Sequence, residues 1–503
     1  MKNVLSNVKY GMLSQVSKII LQFATRKVFL FVLGVELLGI HSLFISIISM
    51  LTMTELGVGA AVAYSLYKPL AENDMQKVAG IMCLYRKVYR IIGIVILLGG
   101  CSLLPFIPNI VNTATDIPNL RLMFFIILLK CALTYLLFAY SQTLLIASEC
   151  KYKVDKLILL FTFVTSLGEI VVLLSTHNYI LYLCVEMFCL ITQQYLIYKE
   201  TKRMYPEIMA ARNVQLDKDE KKSLWKNVYG LSITKFAGAI LSSIDNIVIS
   251  TFISTTIVGF YANYSLIQTA AVSIISMAFV SVTANIGHKF ADNTIKEHHL
   301  FSMFFINFVI CAFCTVMYYF LINDFISLFF SPNLVLSQWV VLAILLNMLI
   351  SYMGMSVQVF KEASGIFWFG KYRPVVTCFL NIAFSLILVK PCGIAGVVFA
   401  TALSRLFTTL WFDPYLVYKY AFKKKPTMYF LTYMYYVCLI VLIILTLSLV
   451  DKYMLPEAPS VWLFFVKAII SGIVTVVVIW MGTCRMSAAS EAYKSVLYKF
   501  KRR

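Results

Sequence analysis

The chain has 503 residues, 61% of them hydrophobic and 13% charged, where a soluble protein carries about 25% charged residues. That excludes a soluble globular protein, because windows of about 20 predominantly apolar residues, long enough to cross a bilayer, recur from end to end. The net charge of +20 does not point to nucleic acid, since the basic residues follow the membrane topology.

In chain order, fourteen spans are read with approximate limits 11–34, 39–65, 91–111, 122–147, 157–176, 178–198, 228–252, 256–286, 300–322, 334–358, 374–389, 393–416, 428–450 and 461–484. With the N-terminus inside, the outer loops hold only Arg121, Lys390 and Lys452. The spans hold Lys18, Arg26, Lys27, Lys130, Lys235, Arg405 and Lys467, and every other Lys and Arg falls on the inner side. This is the positive-inside asymmetry, and it places both termini in the cytoplasm. No cleavable signal peptide is visible. The longest outer loops (112–121, 323–333 and 451–460) are too short to fold alone.

Segment 73–90 puts Met75, Val78, Met82 and Tyr85 on one helical face behind an Asp74 cap. The tail 490–503 does the same with Tyr493, Val496, Leu497 and Phe500. Both are read as helices lying at the lipid interface. Cys311 and Cys314 form a CxxC inside an apolar span, which reads as packing rather than metal or redox chemistry.

The two halves look related. LLGIHSLFISI (37–47) matches IVGFYANYSLI (257–267), aligning Gly39 with Gly259 at an offset of 220, and LLKCALTY (128–135) matches LLNMLISY (345–352) at 217. The expected organisation is all-α and polytopic: a six-helix lobe over 1–198, a basic cytoplasmic connector over 199–227 and a second six-helix lobe over 228–418. Two additional helices over 419–484 and a basic amphipathic tail over 485–503 complete it. Six spans per half make the repeat parallel, related by an axis along the membrane normal.

A basic side chain near the bilayer centre costs on the order of 2.5–3.5 kcal/mol, so the buried charges need a reason. At about 100° per residue, Gln15, Lys18, Gln22 and Arg26 share roughly an 80° arc of span one. In span seven Ser232, Lys235, Ser242 and Asn246 form a comparable stripe, with Asp245 on its flank. At the offset of 220, Gln15 matches Lys235, Gln22 matches Ser242 and Arg26 matches Asn246. Equivalent polar stripes suggest a shared central cleft that leans positive and takes an anion. The bland alternative is that Arg26 and Asp245 pair and lock the halves together. Glu55, in MTELGVG, reads evenly as a proton or cation site or as a bond to a neighbouring helix. Glu169 and Glu186 read as structural, His41 as a satisfied interhelical donor, and Lys130 and Lys467 as side chains that snorkel.

The run FVLGVELLGIHSLFISIISMLTMTELGVGAAVAYSLYKPLAENDMQKV (31–78) resembles the N-terminal region of bacterial polysaccharide-biosynthesis membrane proteins. These are the O-antigen and capsule repeat-unit flippases of the multidrug/oligosaccharidyl-lipid/polysaccharide exporter superfamily. SSIDNIVISTFIST (242–255) with GFYANYSLI (259–267) resembles the start of their second half. The resemblance implies a V-shaped, MATE-like transporter of the bacterial inner membrane. It would flip an undecaprenyl-diphosphate-linked oligosaccharide for O-antigen, capsule or exopolysaccharide assembly, and it is not an enzyme. Arg26, Lys18 and Lys235 would meet the diphosphate by charge-assisted bonds, and Gln15, Gln22, Ser242 and Asn246 the sugars. Cofactors are none; H+ or Na+ coupling would use Asp245 or Glu55. The partners implied are the lipid-linked substrate, membrane lipids and other glycan-assembly proteins such as a polymerase, with no nucleic acid. The runner-up is a multidrug or organic-ion exporter of the same superfamily, which should have an acidic, aromatic cleft. A membrane glycan polymerase or ligase is weaker, because no outer loop is large enough to bind two substrates.

Overall fold

The computed structural model describes residues 2–55, 58–113, 117–211, 214, 238–291, 295–364, 366, 369–454, 460–484 and 486. Most of the connector, Ser232, Lys235 and all of the tail but Met486 lie outside the described residues. Those that are described form helices, short helical turns and loops, with no strand among them. Helices are the economical answer to a bilayer, since each satisfies its own backbone polar groups.

In chain order the main helices are α1 Lys2–Leu51, α2 Val58–Ala71, α3 Met75–Leu103, α4 Leu120–Leu137, α5 Ala139–Ala147, α6 Lys151–Thr176 and α7 Tyr179–Met204. Then come α8 Gly238–Phe252, α9 Thr255–Ala291, α10 Glu297–Phe325, α11 Gln338–Met353, α12 Met355–Ala363, α13 Arg373–Phe407, α14 Thr409–Val417, α15 Thr427–Met454 and α16 Val461–Thr483.

Among the described residues, ten helical ranges are long and apolar enough to cross a membrane, and two of them double back. In α1, Gly34 adopts φ 81°, open to glycine and strained for other residues. Phe29 and His41 then come within 6.1 Å, ring to ring, although a straight helix between those positions would span about 18 Å. In α13, Gly393 adopts φ 56°, so Asn381 Nδ2 donates to Thr401 Oγ1 at 2.8 Å and the hydroxyls of Thr377 and Thr408 meet at 2.7 Å. Counting both arms of each hairpin, and adding the shorter α8 and α9, puts a helix in each of the fourteen expected spans, with span seven described only from Gly238.

The repeat is visible in the helix breaks. Helices α3 and α10 have the same length, and they begin at Met75 and Glu297. Helices α5 and α12 also match in length, and they begin at Ala139 and Met355. The left-handed turn at His177 has its counterpart at Gly393. All three pairings fall close to the offset at which the sequence aligned its halves.

Compactness divides the chain into Met1–Gly259 and Phe260–Arg503. The first unit therefore includes α8 and the first residues of α9. There Gly39 and Gly259, aligned by the sequence, lie against each other. A Cβ on Gly39 would stand 1.9 Å from Thr255 O, and one on Gly259 would stand 2.3 Å from Val35 O. Val35 and Thr255 are themselves equivalent at the offset of 220, so the contact is reciprocal.

Segment 73–90 departs from the expectation of an interfacial helix. Asp74 does cap it, accepting from Lys77 N at 2.9 Å, but Val78, Met82, Tyr85 and Tyr89 are buried in the core of the first unit. The segment is the opening of the membrane helix α3, and its apolar face meets protein instead of lipid.

In the second unit, Phe308 stacks on Tyr436 at 4.0 Å. Lys467 lies 3.1 Å from Asp324 and 2.9 Å from Asp451. These contacts fasten α15 and α16 to α10. Lys467 is thus paired, not snorkelling. All twelve cysteines are free.

Candidate functional site

The first arm of α1 turns Ser14, Ser17, Thr25 and Phe29 inward. Lys18 and Gln22 lie on its exposed side, and Gln15 and Arg26 are partly covered. Arg26 Nη1 is buried without a hydrogen-bond acceptor. Leaving a buried charged donor unmet costs more than the ~1–3 kcal/mol of a neutral one. Asp245 is buried and has an interaction of its own.

On α8, the exposed Ser242 donates to Ala239 O at 2.9 Å. Asn246 Nδ2 donates to Ser46 Oγ, on the second arm of α1, at 2.9 Å, and its Oδ1 is buried with no partner. Arg26 and Asn246, equivalent in the repeat, thus each keep one unmet buried polar atom. The structure brings Asn246 against α1.

Glu55 occupies a 3₁₀ turn, Thr52–Glu55, that follows the end of α1. Irregular backbone at membrane depth survives only where protein or water covers it. Tyr89 donates to Glu55 Oε1 at 2.5 Å and Tyr135 donates to Oε2 at 3.2 Å. Tyr85 lies edge-on to Tyr89 at 4.3 Å and bonds Thr143 Oγ1 at 3.1 Å. The sequence reading missed Tyr89 and Tyr135. For Tyr89 a signal existed, since it continues the helical face of Met82 and Tyr85; for Tyr135 there was none.

A second group of charges lies on α4 and α7. Lys130 does not snorkel: its side chain is 13% exposed and its Nζ lies 2.8 Å from Glu186 Oε2. His41 Nδ1 bonds the Tyr179 hydroxyl at 2.9 Å, as a satisfied interhelical group should. A cavity of about 290 Å³ lies beside this ion pair, its polar wall formed by Ser49, Thr52, Lys130, Thr134 and Tyr135. Tyr135 reaches from it to Glu55. The first unit therefore holds a carboxylate bonded by two tyrosine hydroxyls and, beside a largely apolar cavity, a buried ion pair.

No family model and no curated protein matches the sequence. Solved structures do match. The lipid II flippase MurJ, in an inward closed conformation, superposes with a TM-score of 0.69 at 13% identity, over 94% of this chain and 98% of that one. An inward-facing multidrug resistance MATE transporter of the MOP superfamily gives 0.61 at 12% identity, over 78% and 91%. A MOP superfamily transporter from Pyrococcus furiosus, described as having a binding pocket of reversed polarity, gives 0.56 at 11% identity, over 81% and 92%. These neighbours are flippases and transporters, not enzymes. The chain has the fold that the MurJ flippase and the MATE transporters share.

Proposed function

We propose that this protein is a flippase that moves an undecaprenyl-diphosphate-linked oligosaccharide across the bacterial inner membrane by alternating access. The observation that carries this reading is Arg26, a membrane-embedded guanidinium with a buried donor lacking an acceptor. Lys18, Gln15 and Gln22 continue the polar side of its helix. A diphosphate supplies the missing acceptors in pairs, which suits the planar fork of an arginine. Lys235, Ser242 and Asn246 would add to the site from the second half, and Asp245 or Glu55 would carry a coupling H+ or Na+. The fold of a lipid II flippase supports a lipid-linked substrate. O-antigen, capsule or exopolysaccharide assembly, with both termini cytoplasmic, is the setting that fits the sequence.

Surface-glycan display in a strain lacking its own flippase tests the reading. Arg26→Ala should abolish display while the protein stays in the membrane, and Arg26→Lys should retain part of it, because charge survives and bidentate geometry is lost. Normal display by an expressed Arg26→Ala protein would refute the assignment. A second reading, export of organic cations, is favoured by Glu55 among Tyr85, Tyr89 and Tyr135. It requires raised resistance to cationic drugs on expression, with resistance lost in Glu55→Gln.

A further inference from the structure

One corner of the second unit carries charge for which the proposed transport has no use. Where α12 ends, α13 begins and α14 runs past, Lys361 is 8% exposed and its Nζ lies 2.7 Å from Asp413 Oδ1. Arg373 Nη1 lies 2.6 Å from Asp413 Oδ2, and its Nε is buried without an acceptor. One carboxylate serves two cations, so the corner keeps a net positive charge. An arginine offers five N–H donors and a lysine three; the bonds to Asp413 use one of each. Gly370 makes room for the ammonium, since a Cβ there would stand 2.9 Å from Lys361 Nζ.

The first repeat fills the equivalent positions with apolar residues, and Lys153 pairs with Glu200 beside them at 2.7 Å. In the register that superimposes α5 on α12, Leu145, Val154, Leu157 and Ile197 stand in place of Lys361, Gly370, Arg373 and Asp413, and they close an apolar cluster. Buried ion triads often give way to apolar residues with no loss of fold, and this chain contains both versions. Apolar residues can therefore fill these positions in this fold.

The surroundings indicate what they meet. Phe369 stacks on Tyr420 at 4.2 Å, Lys371 Nζ sits 4.9 Å from the centre of the Tyr372 ring, and Lys419 Nζ lies over Tyr415 and Tyr420. Tyr372 and Trp411 are exposed. Aromatic rings interleaved with lysines mark the boundary between membrane and water, the level at which lipid phosphates lie. The positive end of α13, which starts at Arg373, adds to the field. We infer that Lys361 and Arg373 form a site for a phosphate oxyanion at the membrane surface, supplied by an anionic phospholipid headgroup or by inorganic phosphate.

The full-length protein tests this by its Tm, followed in detergent with added inorganic phosphate and in phosphatidylcholine vesicles with or without phosphatidylglycerol. The informative variant transplants the first repeat's corner: Lys361→Leu/Arg373→Leu/Asp413→Ile. It should fold with a wild-type Tm in phosphatidylcholine and lose the rise in Tm that the anion gives the wild type. Arg373→Gln alone should bind the anion roughly tenfold more weakly, as loss of a charge-assisted contact implies, and this variant decides the matter if the triple variant does not accumulate. A rise with inorganic phosphate assigns free phosphate, and a rise with phosphatidylglycerol alone assigns the headgroup. A wild type indifferent to both anions, or variants that respond as strongly as the wild type, would overturn the site.

Discussion

A single methyl group at Gly39 is the sharpest probe of the packing. The Cβ of Gly39→Ala would sit 1.9 Å from Thr255 O and 2.9 Å from Thr255 C. Both are backbone atoms, so no side-chain rotation relieves the clash, and the helix segments must separate by more than about 1 Å to reach ordinary contact. Thr255 is not free to retreat. Its N donates to Asn112 O at 2.8 Å, and its Oγ1 accepts from Asn112 N at 2.9 Å and meets Ser250 Oγ at 2.7 Å. Overpacking alone costs about 1–3 kcal/mol, and each disturbed hydrogen bond adds about 0.5–1.5 kcal/mol. A total on the order of 3–5 kcal/mol is expected from these two contributions, with Gly259→Ala close behind because its Cβ would stand 2.3 Å from Val35 O. Gly99→Ala is the control, with its nearest neighbour 3.6 Å away at Leu51 Cδ2. In mid-helix that change gains the roughly 0.5–1 kcal/mol that alanine holds over glycine. Tm of the purified variants decides the matter. If Gly39→Ala melts no lower than the wild type, the close approach of these segments is wrong.

Two further tests follow the buried charges. Lys130→Met alone should destabilise by about 3–5 kcal/mol by stranding Glu186, and Lys130→Met/Glu186→Leu should recover most of it; equal Tm for single and double variants would deny the pair. Glu55→Gln keeps an acceptor for one tyrosine and should leave Tm within about 1–2 kcal/mol of stability while removing the ion-gradient dependence of transport. Asp245→Asn is the matched comparison, and whichever variant retains gradient dependence is not the carrier.

The sequence by itself determined the count of spans, the repeat and the hairpins, because these rest on local properties. Apolar length decides whether a segment crosses a bilayer, and a helix satisfies its own backbone wherever it sits. Glycine tolerates the positive φ of position 34 regardless of what packs around it. The offset of 220 that aligned Gly39 with Gly259 needed no coordinates either. Tertiary structure decided what each face meets. Helical periodicity showed that Val78, Met82 and Tyr85 share a side, but lipid and protein are equally apolar partners for such a face, so the pattern could not choose between them. Lys130 and Glu186 belong to different helices, α4 and α7, as Lys361 and Asp413 belong to α12 and α14, and nothing in the spacing of either pair announces the bond. Arg26 shows both sides of this division: its charge within an apolar span marked it from the sequence, and only packing shows that one of its donors is buried with nothing to bind.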